Sequence, residues 1–179
     1  EDMQVYVAAS KPGSFAFGPP VLASDAFLPA GALLDKPWIT VTPKGTVVVS
    51  YAQISTEYSL ISARSVDFGQ SFTRSVITTD PMLDEYYNLA YLCVSQETGR
   101  LFATYLVVPQ VGATILENRL SFSDDDGQTW PAASQTVVSM GEDDVMFTDP
   151  TCTALGNEVW ATYSLSKDSL VGGEGGQKA

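Results

Sequence analysis

Two eight-residue stretches with one shared pattern are the strongest indication of how this chain folds. They are Ser65-Val66-Asp67-Phe68-Gly69-Gln70-Ser71-Phe72 and Ser123-Asp124-Asp125-Asp126-Gly127-Gln128-Thr129-Trp130. Both read S-x-D-x-G-x-[ST]-[FW], and their aspartates stand 58 residues apart, at positions 67 and 125. We call them the first and the second turn motif. A pattern repeated at such a distance indicates a protein built from repeated supersecondary units.

The chemistry of the motif is that of a tight turn between two strands. A carboxylate can accept hydrogen bonds from nearby backbone N–H groups, and a glycine supplies the positive φ that such turns need. The aromatic residue then packs over the turn. We therefore assign structural roles, rather than catalytic or calcium-binding ones, to Ser65, Asp67, Gly69, Phe72, Ser123, Asp125, Gly127 and Trp130.

The rest of the chain reads as short β-strands separated by turn residues. Runs such as 47–51, 101–108 and 159–163 are rich in β-branched and aromatic residues, and Gly, Pro, Asn and Asp separate them at hairpin spacing. The one helical rhythm, over 82–90, predicts a loop with a single helical turn. We expect a buried core containing Val47, Val49, Leu101, Val159 and Ala161, and buried aromatic rings at Trp38, Tyr51, Phe72, Tyr105, Trp130, Trp160 and Tyr163.

Composition excludes several classes of function. The chain has 179 residues, of which 45% are hydrophobic, and a formal net charge of −12. Such a charge disfavours nucleic acid and anionic membrane surfaces as partners, and no apolar run is long enough to span a bilayer. The chain contains no histidine, which excludes Ser-His-Asp and Cys-His catalysis and HExxH zinc sites within it.

The two cysteines, Cys93 and Cys152, form neither a disulfide framework nor a zinc site. Both stand in strand-like stretches, which favours buried free thiols that behave as small hydrophobic side chains. A bridge between neighbouring strands is the alternative if the compartment is oxidising. The cysteines therefore leave the compartment open.

The turn motifs resemble the Asp-box, or BNR repeat, of sialidases and their β-propeller relatives. Residues 35–39, followed by 43–49, are similar to the start of a blade in bacterial sialidase-like proteins, and 10–15 resembles a degenerate third copy without the aspartate. The resemblance covers the chain from about residue 3 to about residue 166. It implies an all-β propeller of four-stranded antiparallel blades, six in sialidases, with Asp-boxes joining the third and fourth strands.

The length corresponds to about three blades, so the resemblance implies a partial propeller. We expect half a blade over 1–30, full blades over 35–80 and 88–140, and two further strands from Phe147. The domain organisation is then a partial propeller over 1–170 and a flexible Gly-rich tail over 171–179. The remainder of the ring would be another chain, a second copy or a missing segment, because only closure removes the exposed sheet edges.

Strand order places the turn motifs at one end of the blades and a set of acidic and aromatic residues at the other, which is the active-site end in sialidase-like propellers. That second end should carry Asp35, Glu57, Tyr58, Asp84, Glu85, Tyr86, Tyr87, Glu117, Asp143, Asp144 and Asp149. Carboxylates and tyrosines suit sugar hydroxyls and stacking, as well as two-carboxylate glycoside chemistry. The alternative is that most of them are solvated loop residues of an acidic protein.

The resemblance also implies a catalytic set, which this chain carries only in part. Sialidases use three arginines to hold the substrate carboxylate, a tyrosine nucleophile paired with a glutamate, and an aspartate acid/base. Of the arginines at positions 64, 74, 100 and 119, only Arg119 falls near an active-end loop. The candidates are Tyr86, Tyr87 and Glu85 for catalysis, and Asp35, Asp84 and Arg119 for ligand binding.

No cofactor or metal is expected. Residues 124–127 resemble part of a calcium loop, but Gln135 stands where a bidentate carboxylate is needed. The cluster 142–144 reads as a solvated loop.

Two functions remain open. The first is an extracellular or cell-surface sialidase-like propeller (a periplasmic one is also compatible) that recognises a glycan or a related ligand, with catalysis not supported by this chain alone. If it is an enzyme, it is a sialidase-type glycoside hydrolase. The second is a non-catalytic propeller scaffold for protein–protein interaction or assembly, because folds host unrelated functions.

Overall fold

The computed structural model describes residues 3–26, 28–80, 82, 84–109, 117–131, 134–139 and 144–167. Within these residues the chain is all-β and contains no helix, so none that could cross a membrane. The tail expected over 171–179 lies outside them. The strands are β1 (Tyr6–Val7), β2 (Val21–Leu22), β3 (Leu33–Val41), β4 (Val47–Ile54), β5 (Tyr58–Ser65), β6 (Thr73–Asp80), β7 (Glu85–Val94), β8 (Leu101–Pro109), β9 (Glu117–Ser123), β10 (Gln135–Ser139), β11 (Asp144–Leu155) and β12 (Glu158–Lys167).

The strands form four antiparallel sheets in which chain neighbours pair. We call them the N-terminal pair (β1–β2), the first four-stranded sheet (β3–β6), the second four-stranded sheet (β7–β10) and the C-terminal pair (β11–β12). The predicted units over 35–80 and 88–140 correspond to these four-stranded sheets, which begin two and three residues earlier than predicted. The C-terminal pair begins at residue 144 rather than at 147.

Two apolar clusters hold neighbouring sheets together. The first lies between the two four-stranded sheets and includes Val48 and Leu60 on one side and Leu101 and Tyr105 on the other. The second lies between the N-terminal pair and the first four-stranded sheet, around Tyr51. Burial of this apolar surface is the main force that stacks one sheet on the next.

The first strands of successive sheets lie side by side. β3 contacts β7, and β7 contacts β11. Trp38 of β3 donates a hydrogen bond from Nε1 to the carbonyl of Leu92 in β7 at 3.2 Å, and its ring packs edge-on against Tyr91 at 4.2 Å between centroids. In each of the three strands the register shifts near the middle, after residues 35, 88 and 148. The repeat is therefore structural as well as sequential.

The cysteines form a disulfide, so the favoured prediction of free thiols is wrong. Cys93 lies in β7 and Cys152 in β11, and their Cα atoms are 5.7 Å apart. Because these first strands of adjacent sheets run side by side, two residues 59 positions apart in sequence meet. The sequence shows each cysteine in a strand but not which strands are neighbours.

The helical turn predicted over 82–90 is also wrong, because β7 already begins at Glu85. The alternation that resembled a helical rhythm is that of a bulged strand, whose register shifts between Asn88 and Tyr91. Residues 10–15, which resemble a degenerate third copy of the motif, form a hairpin turn, with Gly13 at φ 73° and Ser10 bridged to Phe17.

The predicted aromatic core is correct only where neighbouring sheets are present. Tyr51 and Tyr105 are fully buried, and Phe72 and Trp130 are half-buried. The side chains predicted as buried that are exposed instead are Trp38, Trp160 and Tyr163. Val49 and Leu101 are buried as predicted, whereas those that are only half-buried are Val47, Val159 and Ala161. Val159, Trp160, Ala161 and Tyr163 lie in β12, which among the described strands pairs only with β11, so these four side chains lack full cover.

Candidate functional site

The antiparallel strands direct their connections to two ends of the sheets. One end, which we call the turn-motif end, carries both turn motifs together with the β3–β4 and β7–β8 turns. Lys44 Nζ lies 2.9 Å from Asp126 Oδ2, and Arg100 Nε lies 2.6 Å from Asp124 Oδ1. The predicted grouping of these loops is therefore confirmed. The opposite end carries the β4–β5 and β6–β7 connections.

In the first turn motif the aspartate is used entirely within its own turn. Ser65 donates to Asp67 Oδ1 at 2.6 Å, and the Ser71 hydroxyl and N–H donate to the same carboxylate at 2.5 and 2.9 Å. The N–H of Gly69 in turn donates to Ser65 Oγ at 2.7 Å. The hydroxyl of Ser65, followed by those contacts from Ser71, holds the pKa of Asp67 well below its usual range.

The second turn motif repeats the same contacts. Ser123 and Thr129 donate to the Asp125 carboxylate at 2.8 and 2.6 Å, and the N–H of Gly127 donates to Ser123 Oγ at 2.9 Å. Partial burial by itself raises the pKa of Asp125, but the hydrogen bonds from Thr129 and Ser123 outweigh it and lower this pKa overall. Both aspartates hold backbone in this geometry, as a turn role requires.

At the opposite end, β7 and β9 bring a carboxylate, a guanidinium and a phenol into contact. Arg119 donates from Nη1 and Nη2 to the two oxygens of Glu85 at 2.9 and 2.7 Å. Tyr87 donates its hydroxyl to Glu85 Oε2 at 3.0 Å. Glu85 and Tyr87 point to the same face of β7 because they stand two residues apart in a strand. We call Glu85, Tyr87, Arg119 and Glu117 the acidic cluster.

Glu117 completes the cluster from β9. It accepts a hydrogen bond from Arg119 Nε at 2.8 Å, while Thr136 and Ser139 approach its carboxylate at 3.4 Å. Burial lowers the pKa of Arg119, yet the hydrogen bonds that it donates to Glu85 and Glu117 raise this pKa overall. Two carboxylates therefore face one guanidinium, and the cluster carries a net negative charge.

Burial raises the pKa of Tyr87 to about 12, and Glu85 adds to this effect. The side chain is only 5% exposed and packs edge-on against Tyr105, at 6.0 Å between ring centroids. At neutral pH the hydroxyl thus keeps its proton and donates it in a hydrogen bond to Glu85. The pair has the composition of a phenol nucleophile with a carboxylate acceptor, but this phenol is neither ionised nor open to solvent.

The other predicted site residues lie apart from the cluster. Tyr86 points to the opposite face of β7 and packs edge-on against Tyr58, at 5.2 Å between centroids. Asp84 is exposed in the connection just before β7. Asp35 lies half-buried in β3, at the bulge that precedes Trp38 and in the other four-stranded sheet. The structure thus brings Glu85, Tyr87 and Arg119 together and leaves Tyr86, Asp84 and Asp35 outside.

Asp80 is a positioning residue that the sequence analysis missed. Its carboxylate accepts hydrogen bonds from the N–H groups of Met82 and Glu85 at 2.9 and 2.6 Å, which fixes the entry into β7. The sequence feature that could have indicated this role is the Asp-Pro dipeptide at residues 80 and 81. An aspartate at a turn commonly accepts a hydrogen bond from the backbone N–H two residues later. Glu117 was recognised only as one acidic residue among many.

The described residues show no group of three or more acidic or sulfur side chains placed to hold a metal ion. The carboxylates of residues 124–126 diverge, because Asp124 pairs with Arg100, Asp125 holds its own turn and Asp126 pairs with Lys44. Of the other acidic candidates, residues 142 and 143 lie outside the described residues, and the side chains of Asp144 and Asp149 are not described.

Comparison with known proteins gives a structural likeness only. No protein-family model and no curated protein matches the sequence. Among solved structures, the chain is similar to one described as "Hadza microbial sialidase Hz136", with a TM-score of 0.51 and 17% sequence identity. The match covers 58% of this chain and 26% of that chain, so it spans about a quarter of the sialidase structure. Over that part the fold is sialidase-like.

Proposed function

We propose that this chain is part of a sialidase-like Asp-box β-propeller that recognises glycans at the end opposite the turn motifs. The observation that carries the proposal is the acidic cluster, in which Tyr87, Glu85 and Arg119 are held in direct contact at that end. The structural likeness to a sialidase supports the fold, and the cluster supports the location of the site.

The propeller interpretation rests on how the sheets repeat. Along the chain, the two four-stranded antiparallel sheets lie between the N-terminal pair and the C-terminal pair, and the first strands of β3–β6, β7–β10 and β11–β12 lie side by side. The contact between Trp38 and Tyr91 and the bridge between Cys93 and Cys152 join these first strands. Blades arranged around an axis need such contacts between their innermost strands.

The chemistry of the opposite end favours recognition of sugar hydroxyls. The carboxylates of Glu85 and Glu117 are acceptors, and Tyr58 and Tyr86 provide ring surface on the other face of β7. Catalysis by this chain alone is not supported, because Tyr87 is buried and protonated and Arg119 is already paired with two carboxylates. A sialidase-type hydrolase would need further arginines from elsewhere.

We also propose that the protein works outside the cell or at its surface, with a periplasm as the compatible alternative. The disulfide between Cys93 and Cys152 supports this proposal, because such bonds persist in oxidising compartments and are rare in the cytosol.

Calorimetric titration with sialyllactose and with lactose tests the glycan proposal. We expect the chain to bind at least one of them, and we expect Glu85→Gln to weaken binding at least tenfold by releasing both Arg119 and Tyr87. Arg100→Lys is the matched control, because it alters an arginine–carboxylate pair at the turn-motif end. Binding of neither sugar, or equal effects of the two variants, would contradict the proposal.

The second candidate is a non-catalytic scaffold for protein–protein interaction. An exposed apolar groove between β1 and β3 favours it, because Tyr6, Trp38 and Ile39 line this groove together and each is at least 40% exposed. Contiguous apolar surface of this kind marks interaction sites. A fluorogenic sialoside separates the enzyme from the scaffold. Turnover by the complete propeller that is lost in Tyr87→Phe would support the enzyme. The absence of both turnover and sugar binding would favour the scaffold.

A further inference from the structure

A polar cavity of about 220 Å³ lies between the N-terminal pair and the first four-stranded sheet. Glu57 belongs to the β4–β5 connection, at the end opposite the turn motifs, whereas Ile61 and Arg74 lie nearer the middle of β5 and β6. The cavity therefore extends from that end towards the middle of the sheet. Its walls are formed, among others, by Asp25, Glu57, Ser59, Ile61, Arg74 and Val76.

This cavity corresponds in position to part of the acidic cluster of the second four-stranded sheet. Ile61 stands where Arg119 stands, since each pairs with the fully buried tyrosine in the second strand of its sheet. Two residues earlier, Ser59 stands where Glu117 stands. Ile61 and Ser59 have shorter, uncharged side chains. They therefore leave space open where the second sheet holds a guanidinium and a carboxylate.

The charged side chains of the cavity do not balance. Arg74 donates from Nη1 to the carbonyl of Ser24 at 3.0 Å and forms an ion pair with Asp25, so its guanidinium is already held by the N-terminal pair. Among the polar contacts within the described part of the chain, Glu57 has only one, with the hydroxyl of Ser59 at 3.5 Å. Two carboxylates thus stand against one guanidinium, which leaves a negative charge at Glu57.

Part of the cavity wall is apolar. Ile61 and Val76 are paired across β5 and β6, and Val76 is 50% exposed. An aliphatic chain is favoured against such a surface, because its burial removes apolar area from water. A primary ammonium has three N–H donors and a positive charge, which complement the carboxylates of Glu57 and Asp25. A negatively charged ligand would instead meet two carboxylates and a guanidinium that is already paired.

We propose that this cavity binds a primary ammonium group carried on a short aliphatic chain. Glu57 accepts hydrogen bonds from the ammonium and pairs with its charge, and the aliphatic chain packs on Ile61 and Val76. A free diamine and the lysine side chain of a partner protein both carry this chemistry. The formal net charge of −12 favours the approach of either cation. The proposal does not rest on glycan binding, because the acidic cluster belongs to the other four-stranded sheet.

Amide NMR titration of the chain with cadaverine, with Nα-acetyl-lysine methylamide and with 1-pentanol tests this proposal. We expect saturable shifts at residues 57–61 and 74–76 with both amines and none with pentanol, which has the same aliphatic chain without the charge. Glu57→Gln should weaken binding of the amines about fivefold, because it removes the charge that pairs with the ammonium. Glu97→Gln is the matched control, since it makes the same change at an exposed glutamate of the β7–β8 turn, and it should leave binding unchanged.

Val76→Lys gives a second, independent result. Position 76 is half-exposed, so a longer side chain is accommodated there and places its own ammonium in the cavity. This variant should lose binding of both amines while circular dichroism shows intact sheets. Tighter binding of cadaverine would support the proposal with a free amine as the ligand, and tighter binding of the lysine derivative would support it with a basic partner. The proposal is overturned if neither amine binds saturably, if pentanol gives the same shifts, if Val76→Lys still binds, or if Glu57→Gln and Glu97→Gln lose equally.

Discussion

The two four-stranded sheets contain the same turn motif with the same hydrogen bonds, yet one motif is packed and the other is open. Ser65 and Asp67 make the contacts that Ser123 and Asp125 make, to within a few tenths of an ångström. The residue after the aspartate is nevertheless buried and paired in the second motif and exposed in the first. The eight residues therefore build the turn, and the preceding sheet decides whether the turn is covered.

This difference separates two sources of stability. Hydrogen bonds within the turn are local and should contribute equally in both motifs, whereas apolar burial depends on the neighbouring sheet. Variants at equivalent positions of the two sheets can measure each source.

The largest expected difference concerns Leu92 and Ile39, which occupy equivalent positions in β7 and β3. Leu92→Ala removes a buried side chain and should cost about 2–4 kcal/mol of unfolding free energy. Ile39→Ala alters a half-exposed side chain and should cost less than about 1 kcal/mol. Urea unfolding measures both values. Equal losses would mean that this face of the first four-stranded sheet is covered in solution.

A smaller difference is expected between the two motif glycines. Both have φ near 80°, so an alanine at either position costs roughly 1–2 kcal/mol of backbone strain. At Gly127 the added Cβ also presses on Ser62 and Val48, which adds about 1–3 kcal/mol, whereas at Gly69 the space is open. Thermal unfolding of Gly127→Ala and Gly69→Ala checks the prediction. A larger loss in Gly69→Ala would contradict the described packing.

The ion pair between Lys44 and Asp126 should contribute less. Lys44 is largely exposed, but its partner is buried, so Lys44→Ala should cost about 1 kcal/mol by leaving the carboxylate unpaired. Adding Asp126→Asn to that variant should recover part of the loss, because no buried charge then remains. If the double variant is less stable than Lys44→Ala, the pair does not act through charge.

The smallest effect is expected in acid. The pKa values of Asp67 and Asp125 are lowered in the folded state, so the unfolded chain takes up protons first as the pH falls. Their contribution to stability is present above ~pH 4 and is lost as the pH falls towards the folded pKa values. Melting temperatures of Asp67→Asn and Asp125→Asn should be lower than wild type at neutral pH and approach it in acid. A gap that stays constant with pH would contradict this prediction.

Much of the fold could be predicted because its signals are local. The turn motifs, the Gly turns and the β-branched runs located both four-stranded sheets to within three residues at their starts. The predictions that were wrong concern features that depend on which strands are neighbours. The Cys93–Cys152 bridge and the exposure of Trp38 and Trp160 follow from sheet stacking, which short-range patterns do not report.

The candidate site was predicted in part for the same reason. Strand order placed residue 119 and the stretch 85–87 at one end, and the structure joins Arg119 to Glu85 there. The sequence analysis did not predict that Arg119 also donates a hydrogen bond to Glu117. Nor did it predict that Tyr87, rather than Tyr86, contacts Glu85. Both contacts join side chains that stand two residues apart in one strand, and the stretch 82–90 was predicted as a loop with a helical turn rather than as the start of β7.

We propose that ligand binds at the end opposite the turn motifs. The amide NMR spectrum of the chain, titrated with sialyllactose or lactose, shows where the ligand contacts the protein. We predict that shifts concentrate at residues 84–87 and 117–119, where the acidic cluster lies. The turn motifs over 65–72 and 123–130 should stay unchanged. Shifts confined to those two motifs would contradict the account, because they would place the ligand at the end that we assign to structure.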